Sequence, residues 1–201
     1  MLYIRLIYIN LIRMKFALGK KIGMTTIYNS EGAQNVTLIE ILPNKVEGVF
    51  SVEKDGRNSV CLSVKKTKNK EYLKEFRFDA DSDKKYSVDD VIDVSIFEEG
   101  DKVSVSAIAK AKGFQGVVKR HGFAGGPASH GHRHCLRTPG SIGSAYPQHV
   151  LKGKRMAGRD GGKRVTVPSL KVVLVDSDKK LIAVKGSVPG VSGRLVEIKC
   201  K

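Results

Sequence analysis

"GSIGSAYPQHVLKGKRMAGRDGGKRVT", residues 140–166, is the stretch on which the reading of the fold turns. Glycine recurs through it, six positions are Lys or Arg, and Asp160 is its one acidic residue. Ile142, Val150, Leu151, Met156, Val165 and a few small or aromatic side chains are all it has to bury. That apolar area is too small to offset the entropy of ordering so many glycines and long basic side chains, so the stretch cannot make a core alone. Yet it lies well inside a chain of 201 residues whose 41% hydrophobic and 28% charged content is ordinary for a globular protein. The chain therefore reads as a β domain interrupted by a basic insertion.

Both flanks support that reading. Downstream, "RVTVPSLKVVLVDSDKKLIAVKGSVPGVSGRLVEIKC" gives three runs rich in Val, Ile and Leu, separated by Asp176-Ser177-Asp178 and Pro189-Gly190 turns. Upstream, from Lys15 to about Lys65, short apolar or alternating runs are separated by "SEG", "PN" and "KDGRN". Asp55-Gly56 between alternating runs predicts a type I′ hairpin turn. Ser87 to Asp90 is placed to cap a single helical turn before Val91 and Ile92, after which "DVSIFEEGDKVSVSAIAK" returns to strand alternation. The polar segment "KKTKNKEYLKEFRFDADSDKKY", with Tyr72, Phe76 and Phe78 as its anchors, reads as a small appended element. About seven short strands at this spacing predict a barrel or closed sheet, because closure removes exposed edges.

The charge is unevenly placed. The net charge is +16, and the 58 consecutive positions 102–159 hold no carboxylate side chain. From Ala109 to Thr166 the net charge is +11, and the same segment holds 12 of the 21 glycines and all five histidines. A basic run is commonly just a solvated face, but such a face carries counter-charges that are missing here. Self-repulsion keeps the segment extended until a polyanion neutralises it. Glycine lets backbone approach phosphates or stacked bases closely, while Lys and Arg release counterions. The segment thus reads as a nucleic-acid-penetrating arm. Of its aromatics, Phe114, Phe123 and Tyr146 are suited to stack on unpaired bases, with Phe114 also placed to pack a short amphipathic helix with Val117 and Val118.

Other chemistries are weaker fits. His130, His132, His134 and Cys135 crowd together in "SHGHRHC" as borderline and soft metal ligands, but no second ligand pair stands elsewhere to complete a zinc site. "GKKIGMTT" and "GGPASHG" lack the order of a phosphate-binding loop, and no nucleophile triad or carboxylate pair is visible, so catalysis is not expected. Cys61, Cys135 and Cys200 show no paired spacing and read as reduced thiols of a cytosolic protein. The oily "MLYIRLIYINLIR" is interrupted by Arg5, Asn10 and Arg13 and is too short to span a bilayer; it reads as translated upstream sequence before Met14, an interfacial anchor, or an ordinary N-terminal element. Two further readings stay open on residues alone: an RNA-binding assembly or regulatory factor, and a metal-dependent nuclease using the histidine cluster.

"LGKKIGMT", "KAKGFQGVVKRHGF", "HGHRH", "RTPGSIGSAYPQHVLKGKRMAGRDGGKRVTV" and "LIAVKGSVPG" stand in this order in the chain. Together they resemble the bacterial ribosomal protein L3 family of the large subunit, over roughly Lys15 to Lys199. The resemblance implies a mainly β fold: a six-stranded barrel of the type shared by translation proteins, at 14–108 and 165–201, with a small α+β insertion at 66–86. It implies that residues 109–164 form a long irregular basic extension running through 23S rRNA toward the peptidyl transferase centre, with "GSIGSAYPQHVLKG" as its tip, and that residues 1–13 lie outside the domain. The implied role is structural: direct rRNA binding, nucleation of early subunit assembly, contact with the L14 and L19 families, and residence in the cytoplasmic ribosome. No catalysis, cofactor, metal, membrane or small-molecule substrate is implied. The rRNA-contacting residues carried over are Lys110, Lys112, Lys119, Arg120, His130, His132, Arg133, His134, Arg137, Gly140, Ser141, Gly143, Tyr146, Gln148, His149, Lys152, Lys154, Arg155, Arg159, Lys163 and Arg164. The chain departs from relatives in two places. Its 66–86 segment is shorter than their α-containing insertion. Ser144-Ala145-Tyr146 also follow G-S-I-G where some relatives carry a methylated glutamine, so the modification does not transfer to Gln148.

Overall fold

The computed structural model describes residues 15–29, 32–67, 70–78 and 86–200; the readings made for residues 1–13 fall outside these. Among the described residues twelve strands form, numbered in chain order: β1 (Phe16–Asn29), β2 (Gly32–Ile41), β3 (Asn44–Phe50), β4 (Ser59–Thr67), β5 (Lys70–Arg77), β6 (Val91–Ile92), β7 (Lys102–Ile108), β8 (Gly113–Gln115), β9 (Gly158–Asp160), β10 (Arg164–Asp176), β11 (Leu181–Lys185) and β12 (Leu195–Cys200). Contacts divide the chain into two units, one running to Ile108 and resuming at Arg164, the other Ala109–Lys163.

The first unit is mainly β. Six of its strands close into a ring in the order β1-β12-β7-β10-β11-β2, with every neighbouring pair antiparallel. Alternation explains its core: Ala17, Ile39, Ile41, Val103, Val105, Val172, Ile182, Val184, Val196 and Ile198 pack together. Closing a small ring requires strongly bent strands, and register shifts occur at Lys21/Gly23, Val167/Leu170 and Val172/Leu174. The second of these holds Pro168, which donates no ladder hydrogen bond and is tolerated because it sits in the irregularity.

The remaining strands form a separate sheet in the order β5-β4-β3-β6. Phe16 and Leu18, the β1 residues that alternate with Ala17, join a second core with Val46, Val60, Leu62, Val64, Phe76 and Ile92. The Phe16 and Phe76 rings stack with centroids 5.1 Å apart. One strand thus serves two cores by its period of two. At the junction Asn44 is fully buried and hydrogen-bonded: its Oδ1 accepts the Leu18 N–H at 2.9 Å, and its Nδ2 donates to Leu42 O at 2.8 Å.

Three local expectations are corrected. The β3–β4 connection is not a two-residue type I′ turn but a helical turn, α1 (Val52–Asp55), closed by Gly56 at φ 67°. The Gly56 N–H donates to Val52 O, and Asn58 Oδ1 accepts the Val52 N–H, so side-chain and backbone partners are satisfied by a longer loop. Ser87 to Asp90 forms a turn, with the Ser87 N–H on the Asp90 carboxylate at 2.8 Å, and Val91–Ile92 is a strand paired with Asn44 and Lys45 rather than helix. The segment from Lys66 is not appended: β5 pairs along β4 from Ser59↔Arg77 to Thr67↔Lys70, because alternate Tyr72 and Phe76 face the second core.

Candidate nucleic-acid interface

The two ends of the Ala109–Lys163 unit are brought together by the Ile108↔Arg164 pair between β7 and β10. Pairing continues within the unit. The Ala109 N–H donates to Lys163 O at 2.9 Å, the Lys112 N–H to Asp160 O at 3.0 Å, and β8 pairs β9 from Gly113↔Asp160 to Gln115↔Gly158. Gly161 is required here: φ is +68°, and a Cβ would stand 2.0 Å from Lys110 O.

Helix α2 (Val117–His121) follows β8 and ends at Gly122, whose φ of 71° closes it onto Val118 O. Only Val117 of its residues is buried. Phe114 does not pack with it as expected; it belongs to β8 and is 76% exposed. The helix is instead tied to the returning chain. Arg120 Nη1 donates to Met156 O at 2.7 Å and His121 Nε2 donates to the same oxygen at 3.0 Å. The Arg120 guanidinium lies over Gly158, where a Cβ would meet it at 2.6 Å.

Beyond this clasp the chain buries nothing: every residue from 127 to 157 is exposed, Leu136, Ile142, Tyr146, Val150, Leu151 and Met156 among them. Short turns stitch 129–138, with the Gly126 N–H donating to Cys135 O at 3.1 Å. From 139 to 150 no backbone group bonds to another backbone group among the described residues. Ser141 Oγ to Gly143 O at 2.8 Å is a local side-chain contact there. Gly140 adopts φ 75°, whereas Gly143 has ordinary φ and open space around it.

The electrostatics follow the sequence. Of the twelve Lys and Arg placed at the interface, only Lys112 and Arg164 have carboxylate partners among the described residues. Lys112 Nζ lies 3.0 Å from Asp160, and its hydrogen bond, with its charge and the Gly161 N–H, holds the Asp160 carboxyl below its ordinary range against an opposing desolvation cost. Arg164 stands apart from the rest: it begins β10 in the first unit and pairs with Glu197, which also receives Lys74 Nζ at 3.3 Å and the Tyr72 hydroxyl at 3.2 Å. Lys110, Lys119, Arg133, Arg137, Lys152, Lys154, Arg155, Arg159 and Lys163 carry charge with no acidic partner among the described residues. His130, at φ 57°, His132 and His134 lie with Cys135 in the exposed turns, and Tyr146, Gln148 and His149 lie in the segment without backbone hydrogen bonds. No group of three or more His, Cys, Asp or Glu is gathered for a metal ion among the described residues. Cys135 is exposed, and the buried Cys200 donates its Sγ–H to Lys102 O at 3.4 Å.

Two features were not read from the sequence. Lys21, in "GKKIGMTT", is buried and donates to Val188 O at 2.7 Å and Gly190 O at 3.2 Å, so two of the quoted motifs, "LGKKIGMT" and "LIAVKGSVPG", are one structural joint of the ring. The Met156 clasp likewise gives Arg120 a partner within the chain; only the spacing of a helix end from a distant carbonyl, invisible in sequence, creates it.

Comparison with known proteins completes the picture. Residues 73–180 match the family described as Ribosomal protein L3. Proteins named Large ribosomal subunit protein uL3 align along most of their length. The one from Alkaliphilus metalliredigens is 43% identical over 88% of this chain and 92% of its own. That of Streptococcus pyogenes serotype M1 is 43% identical over 92% and 96%, and that of Nitrosococcus oceani 38% over 90% and 94%.

Proposed function

The chain belongs to the ribosomal protein L3 family, structural and non-enzymatic constituents of the large ribosomal subunit, and from that premise we propose that its Ala109–Lys163 unit is an rRNA-binding arm. Its exposed basic residues neutralise phosphates of 23S rRNA, its glycines let the backbone approach, and its tip, 140–153, points into the RNA toward the peptidyl transferase centre. The closed ring is then the six-stranded barrel of translation proteins, serving as the base from which the arm engages RNA early in subunit assembly, beside proteins of the L14 and L19 families.

The observation that carries this reading is the segment 139–150. Its backbone is exposed and makes no backbone hydrogen bond among the described residues, inside a 58-residue run free of carboxylates. Ordered burial of such a segment needs a partner that supplies both negative charge and hydrogen-bonding groups, and RNA supplies both. Arg164 is set apart from this role by its Glu197 partner, so its removal affects the first unit more than RNA binding.

Sucrose-gradient co-sedimentation with the large subunit at moderate salt, combined with crosslinking, tests the reading. Crosslinks from 133–159 to large-subunit RNA are the expected result. A chain that stays at the top of the gradient, or crosslinks only through the first unit, contradicts it.

A further inference from the structure

Within the Ala109–Lys163 unit a cavity of about 360 Å³ is lined by Phe123, Thr138, Pro139, Gly140 and residues 124–126. None of these carries charge, so a phosphate has no ionic partner in it. The cations surrounding it in sequence, Lys119, Arg133 and Arg137 among them, have no carboxylate partner among the described residues. A flat, largely apolar group attached to a polyanion fits that combination.

The cavity is built in advance. Phe123 packs on the His121 ring at 5.8 Å, and His121 is itself tethered to Met156 O at 3.0 Å, which limits the entropy lost when another ring settles on Phe123. Opposite segments are fixed by glycine: a Cβ at Gly125 would stand 2.1 Å from Leu136 O, and one at Gly126 2.6 Å from Cys135 O. The Thr138 hydroxyl is occupied by Cys135 O at 2.9 Å. The backbone N–H groups of Ala124, Gly125 and Gly140 make no backbone hydrogen bond among the described residues, leaving donors for a polar edge.

We propose that this cavity receives one unpaired nucleobase, stacked on Phe123 and extruded from the RNA that the surrounding cations hold. The proposal rests on the arm reading above and adds a contact to a base where the basic residues contact phosphates. It assigns Phe123 a role that neither Phe114 nor Tyr146, 76% and 84% exposed, is positioned to share.

The test uses the full chain, its Phe123→Leu and Phe123→Tyr variants, and a large-subunit rRNA fragment. Affinity is measured across a salt series, with base-specific chemical probing of the RNA. Stacking of one base corresponds to roughly five- to 150-fold in affinity, and Leu keeps part of the apolar contact. Phe123→Leu is therefore expected to bind about tenfold more weakly at every salt concentration with the same salt slope, and one nucleotide loses its protection. Phe123→Tyr is expected to keep both affinity and protection. Wild-type affinity and an unchanged probing pattern for Phe123→Leu overturn the proposal and leave the arm reading standing. An equal loss in Phe123→Tyr, which retains both the π face and the ring that packs on His121, also overturns it, since the loss then does not follow removal of the stacking face. Salt-independent or absent binding by the wild-type chain overturns the arm reading and this proposal together.

Discussion

The ring and the Ala109–Lys163 unit are both parts of one chain, yet they meet the same physical demands in opposite ways. In the ring each strand is hydrogen-bonded to neighbours on two sides, Ile198 and its neighbours are buried, and the buried cation Lys21 has two carbonyl partners. In the other unit thirty-one consecutive residues, 127–157, are exposed, and most cations lack a carboxylate partner among the described residues. The difference teaches that order in the two regions has different sources. One is paid for internally by apolar burial. The other needs charge and hydrogen-bonding groups that the chain does not contain.

The comparison is broken most forcefully in the ring. Ile198→Ala removes a fully buried side chain, so it is expected to destabilise the first unit by about 2–5 kcal/mol in denaturant unfolding. A change below about 0.5 kcal/mol contradicts the description of that core. A smaller effect is expected from Glu197→Gln. The carboxylate joins Arg164, Lys74 and Tyr72, and since Arg164 is half exposed, the loss is about 1–2 kcal/mol. Replacing Arg164 alone leaves the Lys74 contact and should cost less.

Alkaline pH sharpens the comparison further. Burial lowers the proton affinity of Lys15, but its bonds to Asp101 at 2.8 Å and Glu98 at 3.1 Å outweigh this and raise its pKa above 10.5. Tyr72 is raised above 10.0, first by burial and then by the Glu197 charge. Both groups hold their protons more tightly folded than unfolded. Their contribution is therefore complete below the unfolded values and is lost as pH rises through the folded ones. Stability of the first unit is expected to be level between about pH 7 and 9 and to fall above about pH 10, less steeply for Tyr72→Phe. A decline beginning at neutral pH runs against this assignment.

The smallest stability effect belongs to the arm. Replacing Lys152, Lys154, Arg155 and Arg159 together with Gln is expected to leave thermal unfolding within about 0.5 kcal/mol of wild type, because their side chains have no carboxylate partner to lose among the described residues. The same variant should flatten the dependence of log K on log salt for rRNA by roughly 0.7–0.9 per lost contact. An unchanged slope means that these charges face solvent in the complex.

Much of this was legible in the sequence because it is carried by local patterns. Alternation in "SVCLSVK" marks β4, the apolar run in "LIAVKG" marks β11, and the carboxylate-free run marks the basic unit. What was not legible depends on partners distant in sequence. The β region divides into a ring and a second sheet because Phe16 and Leu18 face Phe76 rather than Ile39, and alternation within β1 does not reveal which core each face meets. Asp55-Gly56 carried a real signal for positive φ at Gly56, but Asn58 and the Ser51 to Asp55 contact favoured a helical turn over the two-residue hairpin. Arg164 reads as the last residue of the basic stretch, and its pairing with Ile108 of β7, together with the position of Glu197 on β12, assigns it to the first unit. The cavity beside Phe123 depends on two glycines meeting the carbonyls of residues eleven and nine positions on, which composition alone cannot place.

Hydrogen exchange on the free chain and on the same chain bound to a large-subunit rRNA fragment tests the central claim most directly, since it reads backbone hydrogen bonding residue by residue. The free chain is expected to show strong protection in β1, β7, β10 and β12, weaker protection at the β8–β9 pairing, and none from 139 to 150, with protection appearing in that last segment on binding RNA. Strong protection of 139–150 without RNA, or no gain in its presence, contradicts the claim that the arm takes its order from an RNA partner.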